Sequence, residues 1–192
     1  MEPNLNVENT KNSGLKSFFE LIRYVVVALI VVFIVRTYIA QPFVVSGSSM
    51  YPTFEDREYL IVDEISYLFH NPERGDVVVF HYPKNPDQFF IKRIIGLPGE
   101  VVTIMGSTVV ITDTNGVETV LEEPYVENIS SNDQSYKLNE DEYFVMGDNR
   151  GASSDSRSWG NLPKENIVGQ PFVRLFPASS ITLMPGKFDQ SI

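Results

Sequence analysis

The sequence contains no cysteine. That excludes disulfide staples, a thiolate nucleophile and cysteine-ligated zinc, and fits any redox compartment. Histidine is nearly absent too. His70 and His81 are the only two and no HExxH-type spacing exists, so a histidine-rich metal centre lacks donors. Bases are scarce: 15 Lys and Arg stand against 25 Asp and Glu, for a net charge of −10. The excess acid lies in one part of the chain. Residues 1–40 carry four bases and three acids, residues 41–192 eleven bases and 22 acids. An acidic main body has no basic footprint for nucleic acid. Internal repeats and low-complexity linkers are also missing.

What is present suits a folded protein. The chain has 192 residues, 43% hydrophobic and 21% charged, enough for one substantial domain plus an appendage. Near the N-terminus twelve uncharged residues run from Tyr24 to Val35, YVVVALIVVFIV. As a helix, Tyr24–Ala40 spans about 25 Å, a little short of a bilayer core of roughly 30 Å. Extension back through Ser17-Phe18-Phe19 supplies the length if Glu20 and Arg23 reach toward the interface. A soluble core helix would show a polar face, and this run is apolar all round. A cleavable leader prefers small residues one and three places before its cut, and Tyr38 fills the third place before a cut after Ala40. The expectation is a polar tail over residues 1–16, a membrane anchor over 17–40 and an extracytoplasmic domain over 41–192. Lys11, Lys16 and Arg23 precede the span and Arg36 follows it, which puts the N-terminus in the cytoplasm.

After Gln41-Pro42 the texture changes to short apolar and β-branched runs divided by turn residues, so the fold class expected is mainly β. Strands are predicted at residues 43–46, 59–62, 76–81, 89–95, 101–105, 108–112, 117–121, 142–146 and 171–175. Asn115-Gly116 between two such runs marks a hairpin. Glu64–Phe69 reads as a short helical turn, and Glu127–Asn139, being polar, as a loop.

Three stretches carry candidate chemistry. In Val44–Phe54, VVSGSSMYPTF, a strand-like start runs into serines around Gly47, and Pro52 blocks a helix. Such a turn can hold a serine hydroxyl out of the packed layer with its own N–H free, as a nucleophile requires. In Phe89–Glu100, FFIKRIIGLPGE, Lys92 and Arg93 interrupt an apolar strand. Neighbouring strand residues face opposite sides, so one of the two faces inward if one side of the sheet is buried. The pattern does not say which. In Val145–Gly160, VMGDNRGASSDSRSWG, Arg150, Asp155 and Arg157 among hydroxyls suggest a buried polar network, every member of which needs a partner.

These stretches resemble motifs of the type I signal peptidases, membrane-anchored Ser-Lys endopeptidases. SGSSMYPTF, RGDVVVF (Arg74–Phe80), KRIIGLPGE (Lys92–Glu100) and GDNR…SSDSRSWG (Gly147–Gly160) follow one another in the family's order, behind an apolar run. The resemblance extends to near Phe176 and is closest to the single-anchor form of Gram-positive bacteria. It implies a coiled antiparallel β-sheet domain behind one transmembrane helix. It implies Ser49 as nucleophile and Lys92 as general base, with Ser153 orienting the amine. Asp148, Arg150, Asp155 and Arg157 would support them, and the Ser49 N–H would serve the oxyanion hole. Some members use a serine hydroxyl two residues before the nucleophile, where this chain has Gly47; the substitutes open to it are Ser46, Ser48 or a water. Between Arg150 and Ser153 the common Asp-Asn pair is Gly151-Ala152. Neither cofactor nor metal is implied. The partners implied are secretory preproteins cut after Ala-x-Ala and the lipid bilayer of the cell membrane. The enzyme is expected to be a monomer.

The residue types suit that chemistry. A serine hydroxyl attacks only once a base takes its proton. Lysine is a base only when neutral, and lowering its pKa from about 10.4 to near 8 costs about 3 kcal/mol, within reach of desolvation. Phe89, Phe90, Ile91, Ile94 and Ile95 supply apolar surroundings, so Lys92 is predicted to be buried without a carboxylate partner. The rival base is His81, near Asp76, in a Ser-His-Asp triad. Phe43, Val45, Met50, Phe54, Phe90 and Ile91 flank the dyad and are candidate walls of a pocket for small side chains. Two other readings remain: a self-cleaving Ser-Lys relative, and an anchored β module that binds peptides without cutting them.

Overall fold

In the computed structural model residues 10–38, 40–126 and 133–188 are described. The chain divides into two units between residues 39 and 40. The first contains helix α1 (Thr10–Tyr38). It starts within the stretch expected to be a tail, of which residues 1–9 lie outside the described residues. Once an apolar helix is nucleated, adding polar residues to its end costs little. Side chains from Lys16 to Phe33 are exposed. Lys16, Glu20 and Arg23 break the apolar character of that half, and no helix among the described residues is long and apolar enough to cross a membrane.

The second unit is mainly antiparallel β. Its strands are β1 (Ala40–Val44), β2 (Tyr59–Asp63), β3 (Val77–Tyr82), β4 (Asn85–Gly96), β5 (Val101–Met105) and β6 (Thr108–Thr112). β7 (Glu118–Val120), β8 (Gln134–Lys137), β9 (Glu142–Met146), β10 (Leu162–Pro163), β11 (Ile167–Phe176) and β12 (Thr182–Leu183) follow. Two one-turn helices, α2 (Ser66–Phe69) and α3 (Ser156–Trp159), lie in connections. The larger sheet runs β1-β2-β11-β3-β4-β9-β10, with β12 on β11, and the smaller runs β7-β6-β5-β8.

The local sequence accounts for most of this. β3 opens on four buried residues, Val77–Phe80, as befits a strand inside a sheet and covered on both faces. β5 alternates, burying Val102 and Ile104 against Val109, Ile111, Leu138 and Phe144 in the core of the small sheet. The Asn115-Gly116 hairpin forms, with Gly116 at φ +84° and Asp113 Oδ1 accepting from the N–H of Asn115 and Val117. The polar stretch expected to be a loop contains β8, which pairs with β5 from Val101↔Lys137 to Ile104↔Gln134. An edge strand needs only backbone partners, so QSYK gives no apolar pattern; residues 127–132 lie outside the described residues.

β4 is the strand on which the site is built. Its twelve residues pair with β3 from Asn85 to Arg93 and with β9 from Arg93 to Gly96. Gly96 ends it at a close approach: a Cβ there would lie 2.4 Å from a Val102 methyl and 2.8 Å from one of Leu138. That contact brings β5 of the small sheet against the large one.

Candidate active site

The Ser49 turn is fixed from beneath, from the side and at its entry. Beneath, Met50 and Phe54 are buried to 1% and 0% exposure, packed with Val45, Leu60 and Val77. Burial of two such side chains contributes about 3–6 kcal/mol toward holding the segment down. At the side, the Asn149 N–H donates to Ser49 O at 3.0 Å and Asn149 Nδ2 to Ser48 O at 3.1 Å. At the entry, Val45 N–H donates to Glu58 O and Arg57 N–H to Val45 O, both at 2.9 Å. Gly47 has φ +91°, a conformation that favours glycine, and its N–H donates to Asp56 Oδ1 at 2.8 Å. No hydrogen bond among the described residues occupies the Ser49 N–H.

Lys92, opposite Val78 in the β3–β4 register, is only 4% exposed. Its Nζ donates to Ser49 Oγ at 2.7 Å and to Ile91 O at 2.8 Å, and lies 5.3 Å from the centroid of the Phe90 ring. Among the described residues no carboxylate forms an ion pair with it. Burial pulls its pKa from 10.5 down to about 8, against a smaller upward pull from Asp155 and Asp148.

Arg93 is buried as well, at 1% exposure. The alternation of a strand required one of the two cations to face inward; both are buried, because this half of β4 is covered on both sides. Arg93 grips Asp148 with both arms, Nε to Oδ1 at 2.9 Å and Nη2 to Oδ2 at 2.6 Å. Its Nη1 donates to Gly75 O and Gly186 O, and the Tyr125 ring lies 4.0 Å from its guanidinium carbon. Asp148 also accepts from Thr53 Oγ1 at 2.5 Å, which ties the network to the Ser49 turn. Of the supporting residues expected from sequence, Asp155 and Arg157 pair with each other, Nε to Oδ1 and Nη2 to Oδ2 at 2.8 Å. Asp155 Oδ2 also accepts from the Gly147 N–H at 3.0 Å. Arg150 donates from Nε to Gly147 O and pairs through both terminal nitrogens with Glu123. Arg93, Glu123, Thr53 and Asn149 were not among the expected members. Arg93 carried a signal as a cation in an apolar strand, and Thr53 and Asn149 lie within quoted motifs; nothing local marks Glu123.

Ser153 differs from expectation. Its Oγ is buried and has no hydrogen-bond partner among the described residues, and the bond to Lys92 is not formed. The side chain turns instead toward Gly147, where a Cβ would lie 2.3 Å from Ser153 Oγ and 2.3 Å from Ser49 O. The histidine alternative finds no support in the geometry. His81 Nδ1 lies 2.6 Å from Pro86 O and its ring packs on Phe89, while Asp76 accepts from Tyr67 Oη and from the Glu73 N–H.

A cavity of about 430 Å³ opens beside the Ser49–Lys92 pair. Four of the expected wall residues line it: Phe43, Val45, Phe90 and Ile91. Met50 and Phe54 do not, because they point into the core below the turn. Val44, Leu60, Val79 and Phe89 complete the apolar wall. Leu60 stands opposite Phe43 and Val79 opposite Ile91, so strand register rather than local sequence brings them in. Ser46 lines the cavity and Ser48 does not.

Comparison with known proteins bears on this arrangement. Residues 18–176 match the family model for signal peptidase, peptidase S26. The chain is similar to the probable signal peptidase I-1 of Synechocystis sp., 36% identical over 92% of this chain and 97% of that protein. It is similar to signal peptidase I of Leptolyngbya laminosa, 41% identical over 77% of this chain and 74% of the relative. Signal peptidase IB of Staphylococcus aureus is 34% identical over 85% and 92%. The crystal structure of a signal peptidase I from Enterococcus faecalis, 35% identical, aligns with a TM-score of 0.43 over 53% of this chain and 97% of that one. The family model and the curated relatives define the class, a serine peptidase, carried here on a mainly β domain. Within it the chain belongs to the type I signal peptidases, peptidase S26.

Proposed function

We propose that Ser49 is the nucleophile and Lys92 the general base of an endopeptidase that removes signal peptides from secretory preproteins. The observation that carries the reading is the 2.7 Å between Lys92 Nζ and Ser49 Oγ, with the amine buried. Neutral Lys92 takes the hydroxyl proton as Oγ attacks the scissile carbonyl. The resulting ammonium passes that proton to the departing amine. A water, deprotonated by the same amine, then cleaves the acyl-enzyme and restores Ser49. The unoccupied Ser49 N–H is one donor to the oxyanion. Ser46, on the cavity wall, is the better placed of the two serines to be the second.

The preprotein adds as an extended strand along β1, which is the edge of the large sheet and carries Phe43 and Val44 on the cavity wall. Apolar walls there favour small residues one and three places before the cut, as in Ala-x-Ala. Asp148, Arg150, Asp155 and Arg157 hold the catalytic stretches in place. Ser153 is close enough to the Ser49 turn to act on the pair through a bridging water. In this reading residues 17–40 anchor a monomer in the cell membrane, residues 1–16 are cytoplasmic and residues 41–192 work outside.

The test is cleavage of a preprotein by the detergent-solubilised chain. Ser49→Ala and Lys92→Met are each expected to lower kcat at least 1,000-fold, the scale on which a reacting group is lost. Wild-type rates in either variant would defeat the reading, and binding without cleavage by the unaltered chain would favour a peptide-binding module.

A further inference from the structure

The turn that presents Ser49 is an exposed strip. Ser46, Gly47 and Ser48 are all open to solvent, and among the described residues nothing beyond its chain neighbours lies within 4 Å of where a Gly47 Cβ would be. Packing therefore does not fix the Gly47 peptide, although that peptide sets the path of the chain from the cavity wall at Ser46 to the hydroxyl at Ser49. A hydrogen bond fixes it instead. The ladder between residues 45 and 57–58 has two rungs, Val45 N–H to Glu58 O and Arg57 N–H to Val45 O. The next rung, two residues on, would come from the Gly47 N–H, and there the Asp56 carboxylate replaces a backbone carbonyl at 2.8 Å.

Asp56 is itself held between two buried residues, Phe54 and Glu58. Among the described residues its other oxygen meets only Arg57, at 3.5 Å, in a pair whose side chains (arginine, then aspartate) are 88% and 54% exposed. Such a pair has little effect, so the Gly47 bond is the one structural task this carboxylate performs.

We infer that Asp56 is a positioning residue for catalysis: by accepting from the Gly47 N–H it sets the angle of the turn, and with it the Ser49 N–H and the Ser46 hydroxyl that face the oxyanion. The inference rests on the Ser49–Lys92 reading. It also gives the Gly47 N–H an occupant, so that group is not the second oxyanion donor.

The test compares Asp56→Ala and Asp56→Asn with Ser49→Ala in the full chain, in detergent, on a preprotein substrate. Asp56→Ala loses the acceptor, and kcat should fall about 10- to 100-fold, the cost of a small misplacement at a reacting centre. KM should stay within about twofold, because the apolar walls that receive the substrate side chains are untouched. Asp56→Asn keeps an amide oxygen that can accept and should recover most of the lost kcat. Amide exchange at Gly47 should be slow in the wild type and Asp56→Asn and fast in Asp56→Ala. Three results overturn the role: wild-type kcat in Asp56→Ala, equal loss in Ala and Asn variants, or a loss confined to KM. If Ser49→Ala still cleaves, the dyad reading falls instead, whatever Asp56 does.

Discussion

At the scale of single residues the decisive quantity is the proton on Lys92. Burial lowers its pKa from 10.5 to about 8 because the charged form loses more hydration than the neutral one, and the nearest carboxylates only partly offset this. The sign for catalysis follows. Below pH 8 the neutral fraction falls about tenfold for each pH unit, so log kcat/KM should rise with a slope near one and level off around pH 8. The sign for stability agrees: between pH 8 and 10.5 the unfolded chain holds the extra proton, so Lys92 makes folding more favourable as pH rises through that window. Preprotein cleavage measured from pH 5.5 to 9.5 checks the first statement. A profile flat down to pH 6 would mean that Lys92 is not the base.

At the scale of elements, the site forms where the Ser49 turn meets the end of β9, and Gly147 is the point of contact. A methyl there would sit 2.3 Å from Ser49 O, a backbone atom with no freedom to turn aside. Gly147→Ala is therefore expected to cost about 1–3 kcal/mol, the usual penalty for overpacking. It should also reduce kcat, since the displaced group is the peptide of the nucleophile. Urea unfolding and the cleavage assay measure both, and an unchanged unfolding midpoint with full activity would contradict the packing argument. This scale also shows what was legible in advance. β5, β6 and β9 lie where apolar, β-branched runs and turn residues placed them: β5 buries one face, while β6 and β9 bury consecutive residues and so leave an unbroken apolar run. The Ser49–Lys92 juxtaposition was legible from motif order. β8 was not, since an edge strand with polar side chains leaves no periodic trace. Nor was the core position of Met50 and Phe54, because direction within a tight turn is not periodic.

At the scale of the whole chain, long-range pairing carried what the sequence could not show. Thr53 meets Asp148 across 95 positions, and Asn149 meets Ser48 across 101. No local composition encodes such contacts; they exist only once β4 and β9 are paired. The anchor belongs to this scale too. With residues 17–40 acting as proposed, the full chain should co-sediment with vesicles of phosphatidylglycerol and phosphatidylethanolamine at high salt, while a chain beginning at Ala40 stays in the supernatant. Full-length protein left in the supernatant would count against membrane anchoring.

The ion pair between Glu123 and Arg150 has a bearing on protein engineering. Residue 123 comes just after β7, at the far margin of the four-stranded sheet, yet its carboxylate holds an arginine three residues beyond Gly147. The small sheet is thus a brace rather than a decoration. Anyone paring this enzyme down to a minimal catalyst, or grafting a foreign module in place of residues 101–123, has to supply an acid at the spot Glu123 now fills, or leave a guanidinium stranded in the interior.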